Sequence, residues 1–235
     1  GDTLLWLSTH ADGFFAYSIR NPEQPLQLSH LSIPGYTIRP FAIADTIIAV
    51  TGYCGDSLRI FSFSYNSQYQ LLAYIGDYWV TDMAIISHYL IVIGDTINNG
   101  NIPVIIDIQN PTDPIRIYTG SSAPYPLGFF YKTNLIIEDD YWGSSNTTYT
   151  FLNLYDPAHP QEFGPFPTGA QLIGIINDSM ALGSYLGTTA ILKGRLNLGY
   201  SVVGVLRGST VYNDFNCSIP PYFIVGGRLW LMHNY

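Results

Sequence analysis

Two short stretches carry residue types that could act together in nucleophilic catalysis. Gly55-Asp56-Ser57-Leu58 offers a hydroxyl, and Asp156-Pro157-Ala158-His159 sets a carboxylate three residues before a histidine. A serine nucleophile needs a histidine within hydrogen-bond reach and an acid that orients it. Glu138-Asp139-Asp140, followed by Tyr141 and Trp142, is the one dense carboxylate cluster. Such a trio could ligate a hard cation through oxygen or serve as acid and base at a glycosidic bond. Strand alternation would send Glu138 and Asp140 to one side and Asp139 to the other, which favours a solvated acidic loop. The five histidines, at 10, 30, 88, 159 and 233, show no ligand spacing. No glycine-rich phosphate loop occurs either, so neither a metal nor a cofactor is expected.

Whether these groups can meet depends on the elements that carry them. Arg20-Asn21-Pro22-Glu23-Gln24-Pro25, Gln109-Asn110-Pro111-Thr112-Asp113-Pro114 and Tyr155-Asp156-Pro157-Ala158-His159-Pro160 share an Asn/Asp-Pro-x-x-Pro spacing. Asn66 in a proline-free version and Asn197 in a shorter one complete a ladder at 21, 66, 110, 156 and 197, with intervals of 45, 44, 46 and 41. Each unit carries four short Ile-, Val- and Tyr-rich runs bounded by Gly, Asn, Asp and Pro, as 83–87, 89–94, 103–108 and 115–119 show. Such runs read as strands. Four strands per unit of roughly 44 residues is the signature of a β-propeller blade. Proline locks φ and donates no ladder hydrogen bond, so the paired prolines enforce a turn between third and fourth strands. No segment has sustained helical periodicity. The expected fold is all-β: a single propeller domain over 1–235, with about five four-stranded blades, or six or more if the chain is cut from a longer one. Strand 228–233 is surplus to a five-bladed ring, so terminal strands could pair between copies.

Ile105-Ile106-Asp107-Ile108-Gln109-Asn110-Pro111-Thr112-Asp113-Pro114 resembles the LVIVD-type repeat of secreted and cell-surface bacterial and archaeal propellers. That resemblance implies a propeller fold and a location outside the cell, and no particular activity. Gly55-Asp56-Ser57-Leu58 also matches the signature of the GDSL esterases, but the repeat sets Ser57 at the start of a third strand and Asp156 and His159 in a third-to-fourth-strand turn. Those positions belong to opposite faces of a propeller, and that family needs helices this chain does not offer.

One propeller face gathers the second-to-third-strand loops and the blade-to-blade loops. Those loops hold Tyr53, Asp56, Asp77, Tyr78, Trp79, Asp95, Tyr125, Glu138, Asp139, Asp140, Tyr141 and Trp142. Aromatics beside hydrogen-bonding groups suit recognition of a protein or a glycan. Tyr53, Trp79, Tyr125, Glu138, Asp140, Tyr141 and Trp142 are the candidate ligand-binding residues.

Composition narrows the partners. Lys and Arg number 9 against 17 Asp and Glu, giving a net charge of −8, and only 11% of residues are charged. With no basic stripe, nucleic acid is not an expected partner. No run approaches the roughly 18 apolar residues of a membrane helix. Sequons at Asn146, Asn177 and Asn216 fit a glycosylated extracellular surface. Cys54 and Cys217 map to one face and are expected to form a disulfide that latches the ring. The leading expectation is a non-enzymatic extracellular interaction, scaffold or assembly subunit; the alternative is a hydrolase acting on carbohydrate with Glu138 or Asp140.

Overall fold

The computed structural model describes residues 4–9, 13–32, 38–44, 46–52, 57–63, 69–77, 79–96, 100–120, 127–138, 147–185, 188–206, 222–225 and 228–231. Every regular element among them is a strand. The chain divides into two compact units, Gly1–Ser121 and Ser122–Tyr235.

The first unit holds three antiparallel sheets. The first joins β1 (Leu4–Thr9), β2 (Gly13–Ser18) and β3 (Leu26–Leu31). The second runs β4 (Ile38–Ala44), β5 (Ile47–Gly52), β6 (Ser57–Phe63) and β7 (Tyr69–Asp77). The third runs β8 (Trp79–Ile86), β9 (Tyr89–Thr96), β10 (Gly100–Asp107) and β11 (Ile115–Thr119). Each is a meander in sequence order. Among the described residues the first of these sheets has three strands and the other two have four.

The second unit holds two more such blades. Blade four is β12 (Leu127–Tyr131), β13 (Asn134–Glu138), β14 (Thr147–Asn153) and β15 (Gln161–Thr168). Blade five is β16 (Gln171–Asn177), β17 (Met180–Tyr185), β18 (Thr188–Arg195) and β19 (Gly199–Val205). Their outer strands touch through one parallel bridge, Thr168 to Tyr200. A hairpin of β20 (Tyr222–Val225) and β21 (Arg228–Leu231) follows.

Burial explains which strand sits where. Leu90, Ile91, Val92 and Ile93 on β9 are all fully buried, as a continuous apolar run must be when both sheet faces are covered. Apolar clusters join blades one and two through Phe14, Ile48 and Phe61, and blades two and three through Leu58, Leu90 and Val104. A third joins blades four and five through Ile136, Tyr149, Ala181 and Leu192. The outer strands differ. Leu26 on β3, Leu71 and Tyr74 on β7, Ile115 and Ile117 on β11, Phe163 on β15, and Val203 and Val205 on β19 are exposed.

One backbone bond repeats in four blades and pins the end of the third strand to the first turn. It runs from Phe63 N to the Thr46 carbonyl (2.6 Å), Ile108 N to His88 (2.8 Å), Leu154 N to Thr133 (2.7 Å) and Gly194 N to Ser179 (3.1 Å). The long turns share a second device. The carbonyls of Asn21, Asn110 and Asp156 accept from Gln24, Asp113 and His159 N at 3.0–3.1 Å. Their side-chain oxygens accept from Glu23, Thr112 and Ala158 N. Three expected turn equivalences therefore hold; Asn66 lies outside the described residues.

Candidate functional site

Blade five breaks the pattern at its last turn. Seven residues link third to fourth strand in blades one, three and four (19–25, 108–114 and 154–160), whereas blade five uses three, 196–198. Here Leu198 N donates to the Arg195 carbonyl at 3.0 Å, so Arg195 takes the closing role that Asn or Asp has elsewhere. Asn197 lies within the turn, as expected, without closing it. Gly199 follows at φ +94°, and a Cβ there would run into the Pro167 carbonyl oxygen of β15. Only glycine fits both demands. From blade four, the fully buried Tyr149 reaches across: its hydroxyl donates to the Leu196 carbonyl at 2.7 Å.

Turns between first and second strands emerge at this same end of the sheets, because each antiparallel strand reverses the chain. In the β12–β13 turn, Lys132 has φ 54°, a conformation uncommon for a residue with a side chain. In the β16–β17 turn, Asn177 Oδ1 accepts from Ser179 N at 2.9 Å and Ser179 Oγ at 3.0 Å.

These three turns surround a cleft of about 490 Å³. Asp178 Oδ1 accepts from Lys132 Nζ at 2.6 Å and from the Tyr131 hydroxyl at 3.1 Å. The lysine bond, then the tyrosine bond, hold the Asp178 carboxyl below its usual range, and the same contact raises Lys132. The contact thus favours the charged form of both groups. Asn134, Arg195 and Asn197 complete the polar wall.

Two tyrosines at this cleft make a contrast. Tyr149 and Tyr200 lie with ring centroids 6.0 Å apart, both buried. Burial raises both phenols, Tyr200 to about 12, with the charges of Tyr131 and Asp178 adding to its shift. Tyr149 has its acceptor. The Tyr200 hydroxyl is itself buried and has no hydrogen-bond partner among the described residues, although Tyr200, unlike Tyr149, is one of the residues that line the cleft.

Another perturbed group sits in the first unit. Asp82 stands at a register shift between β8 and β9, its Oδ1 accepting from Met83 N at 2.8 Å. Burial lifts its pKa to about 6, against the opposing effect of that bond. A carboxyl partly protonated near neutral pH can donate a proton.

Two of the candidate loop-face residues are described, both at strand ends. Trp79 opens β8 opposite Asp95, and Glu138 closes β13 opposite Tyr149 and Leu127. Glu138 thus ends its sheet at the far end from the Tyr131–Asn134 turn. Tyr53, Tyr125, Asp140, Tyr141 and Trp142 lie outside the described residues, as do Cys54, Cys217, Asn146 and Asn216. Asn177 is exposed in its turn. Ser57 opens β6, while Asp156 and His159 clasp a third-to-fourth-strand turn, their side chains 3.0 Å apart. Each stands where the repeat places it. The cleft residues Tyr131, Lys132, Asp178, Arg195 and Tyr200 went unmarked in the sequence; the interval of 41 was the available signal.

No family model and no curated protein matches the chain. Among solved structures it is similar to a protein from Lactobacillus plantarum, with TM-score 0.58 and 11% identity over 90% of this chain and 68% of that one. Oligogalacturonate lyase in complex with manganese is similar at TM-score 0.56 and 7% identity, covering 82% and 59%. A chain of a nidogen/laminin complex is similar at TM-score 0.50 and 11% identity, covering 86% and 81%. The chain spans 66% and 56% of the first solved chains it matches, so about two thirds of their length or less. These likenesses and the four-stranded meanders make the fold a β-propeller. The neighbours include an enzyme and a chain from a protein–protein complex, and at such identities they speak of fold alone.

Proposed function

We propose that this chain is an extracellular propeller that works by association, an assembly subunit whose outer strands pair with those of further copies. The carrying observation is that β3, β7, β11, β15 and β19 all expose large apolar side chains, Leu26 and Ile115 at 65% and 60%. An outer strand also carries backbone donors and acceptors on its free edge, which invites strand addition. Few charges oppose such contact, since charged residues make up 11% of the chain. The Asn/Asp-Pro-x-x-Pro turns support kinship with the LVIVD-type repeat, and the exposed Asn177 in its sequon supports glycosylation and an extracellular location.

Sedimentation of the wild type and an Ile115→Lys, Ile117→Lys variant tests the reading. Oligomers that the variant reduces to folded monomers are expected; a wild type monomeric at about 100 μM sinks it, because edge pairing of this kind answers to concentration. Removing 228–235 separates terminal-strand pairing from pairing through β11. A thiol count on the unreduced chain reports the Cys54–Cys217 bridge.

A second reading, hydrolysis of carbohydrate, draws support from Asp82, whose raised pKa suits a general acid. Turnover of a glycoside that Asp82→Asn abolishes would put that reading first.

A further inference from the structure

We propose that the cleft formed by the turns of blades four and five binds a sugar acid, a polyhydroxylated ligand that carries one carboxylate. Charge comes first. In a chain of net charge −8, this cleft gathers Lys132 and Arg195 around one carboxylate, Asp178. Lys132 is committed to Asp178. Arg195 makes no ion pair among the described residues, so one positive charge is left over. A single ligand carboxylate neutralises it, and the planar guanidinium receives that group through two parallel hydrogen bonds. A dianionic phosphate would leave a surplus negative charge beside Asp178.

The remaining groups match hydroxyls. Asp178 is held ionised and accepts, Lys132 donates, and Asn134 and Asn197 each do both. Vicinal hydroxyls, each both donor and acceptor, meet such a wall without leaving a partner unmade.

Independent support comes from Tyr200. It is 4% exposed, it lines the cleft, and its hydroxyl has no partner among the described residues. An unmade buried donor destabilises the free protein. In the free protein that hydroxyl is closed to water, and a ligand oxygen that parts the side chains over it supplies the missing acceptor. At about 490 Å³ the cleft is within the range of small-ligand sites.

The site does not depend on assembly, so it can be tested on whichever oligomer the protein forms. Titrate the protein with D-glucuronate, D-glucose and inorganic phosphate, followed by calorimetry or protein NMR. Saturable glucuronate binding is expected, with glucose weaker by about tenfold or more, the scale of one lost charged contact. Arg195→Ala should lose a similar factor, and Arg195→Lys should recover only part of it because the ammonium lacks the fork. Tyr200→Phe should weaken glucuronate while leaving the unfolding midpoint unchanged or higher. The arginine variants are checked for folding by circular dichroism, and Asn197→Ala replaces them if both unfold. No saturable glucuronate binding, equal binding of glucose, tighter binding of phosphate, or binding indifferent to the variants would overturn the proposal.

Discussion

Two kinds of turn close the outer hairpins of the blades. The turns of blades one, three and four spend seven residues, two of them proline, and tie themselves down with an Asn or Asp side chain. Blade five spends three residues, closes through Arg195 and relies on Gly199 and a tyrosine from the neighbouring blade. A long turn is self-sufficient. A short one borrows its stability from tertiary contacts, and its residues Leu196 and Asn197 line the cleft. The departure from the repeat thus marks the site better than the repeat does.

Gly199→Ala is the sharpest way to break this contrast. The new Cβ would meet both positive φ and the Pro167 carbonyl, neither of which a flexible side chain can relieve. A loss of about 2–4 kcal/mol is expected by urea unfolding, as for other substitutions at special backbone positions. Little change would mean that the short turn is as self-sufficient as the long ones.

Carboxylates repeat the contrast between turn and strand. Asp178 and Asp156, exposed in turns beside Lys132 and His159, are held below their usual range. Asp82, within β8, is raised to about 6 by burial. Its folded pKa lies above the unfolded value, so the stability it contributes is present below about pH 4 and lost as pH rises through about 6. Two pKa units correspond to roughly 3 kcal/mol as an upper figure. Asp82→Asn should therefore raise the melting temperature at pH 7 and leave it near wild type at pH 4. A shift equal at both values would show that burial of the charge is not the cause.

Tyr149 and Tyr200 give a smaller and cleaner pair. Tyr149→Phe removes a donor from the Leu196 carbonyl and should cost about 1–2 kcal/mol. Tyr200→Phe removes a hydroxyl that no described residue satisfies, so it should be neutral or stabilising in the free protein. If the two variants cost the same, the orphaned hydroxyl has found a partner in solution.

How much of this was legible follows from how local each cause is. The strands and long turns could be read because Ile and Val runs, Asn side chains and proline φ angles act within a few residues. Arg195 could not. Its role at the cleft requires Lys132 and Asp178, 63 and 17 residues earlier, to be brought beside it by the stacking of two blades. The raised pKa of Asp82 is likewise a property of what surrounds β8, invisible in the run V-T-D-M-A-I-I. The aromatic loop face was inferred from composition along loops whose side chains are not among those described, so it stands apart from the cleft as a separate expectation.

The smallest effect tests the idea of self-sufficient turns directly. Asn110 Oδ1 accepts from Thr112 N at 3.4 Å and from Thr112 Oγ1 at 2.8 Å, and the Asn110 carbonyl accepts from Asp113 N at 3.0 Å. Asn110→Ala deletes the side-chain bonds and spares the backbone one, in an exposed turn that Pro111 and Pro114 already stiffen. A loss of about 0.5–1 kcal/mol is expected, the usual worth of a solvated intramolecular hydrogen bond. In blade five the turn closes on the Arg195 carbonyl, so Asn197→Ala removes no closing bond and should leave the unfolding midpoint in place. The measurement is the difference between the two variants in one urea series. If Asn197→Ala costs as much as Asn110→Ala, the asparagine closes the short turn in solution as it does the long ones, and the distinction between the two kinds of turn fails.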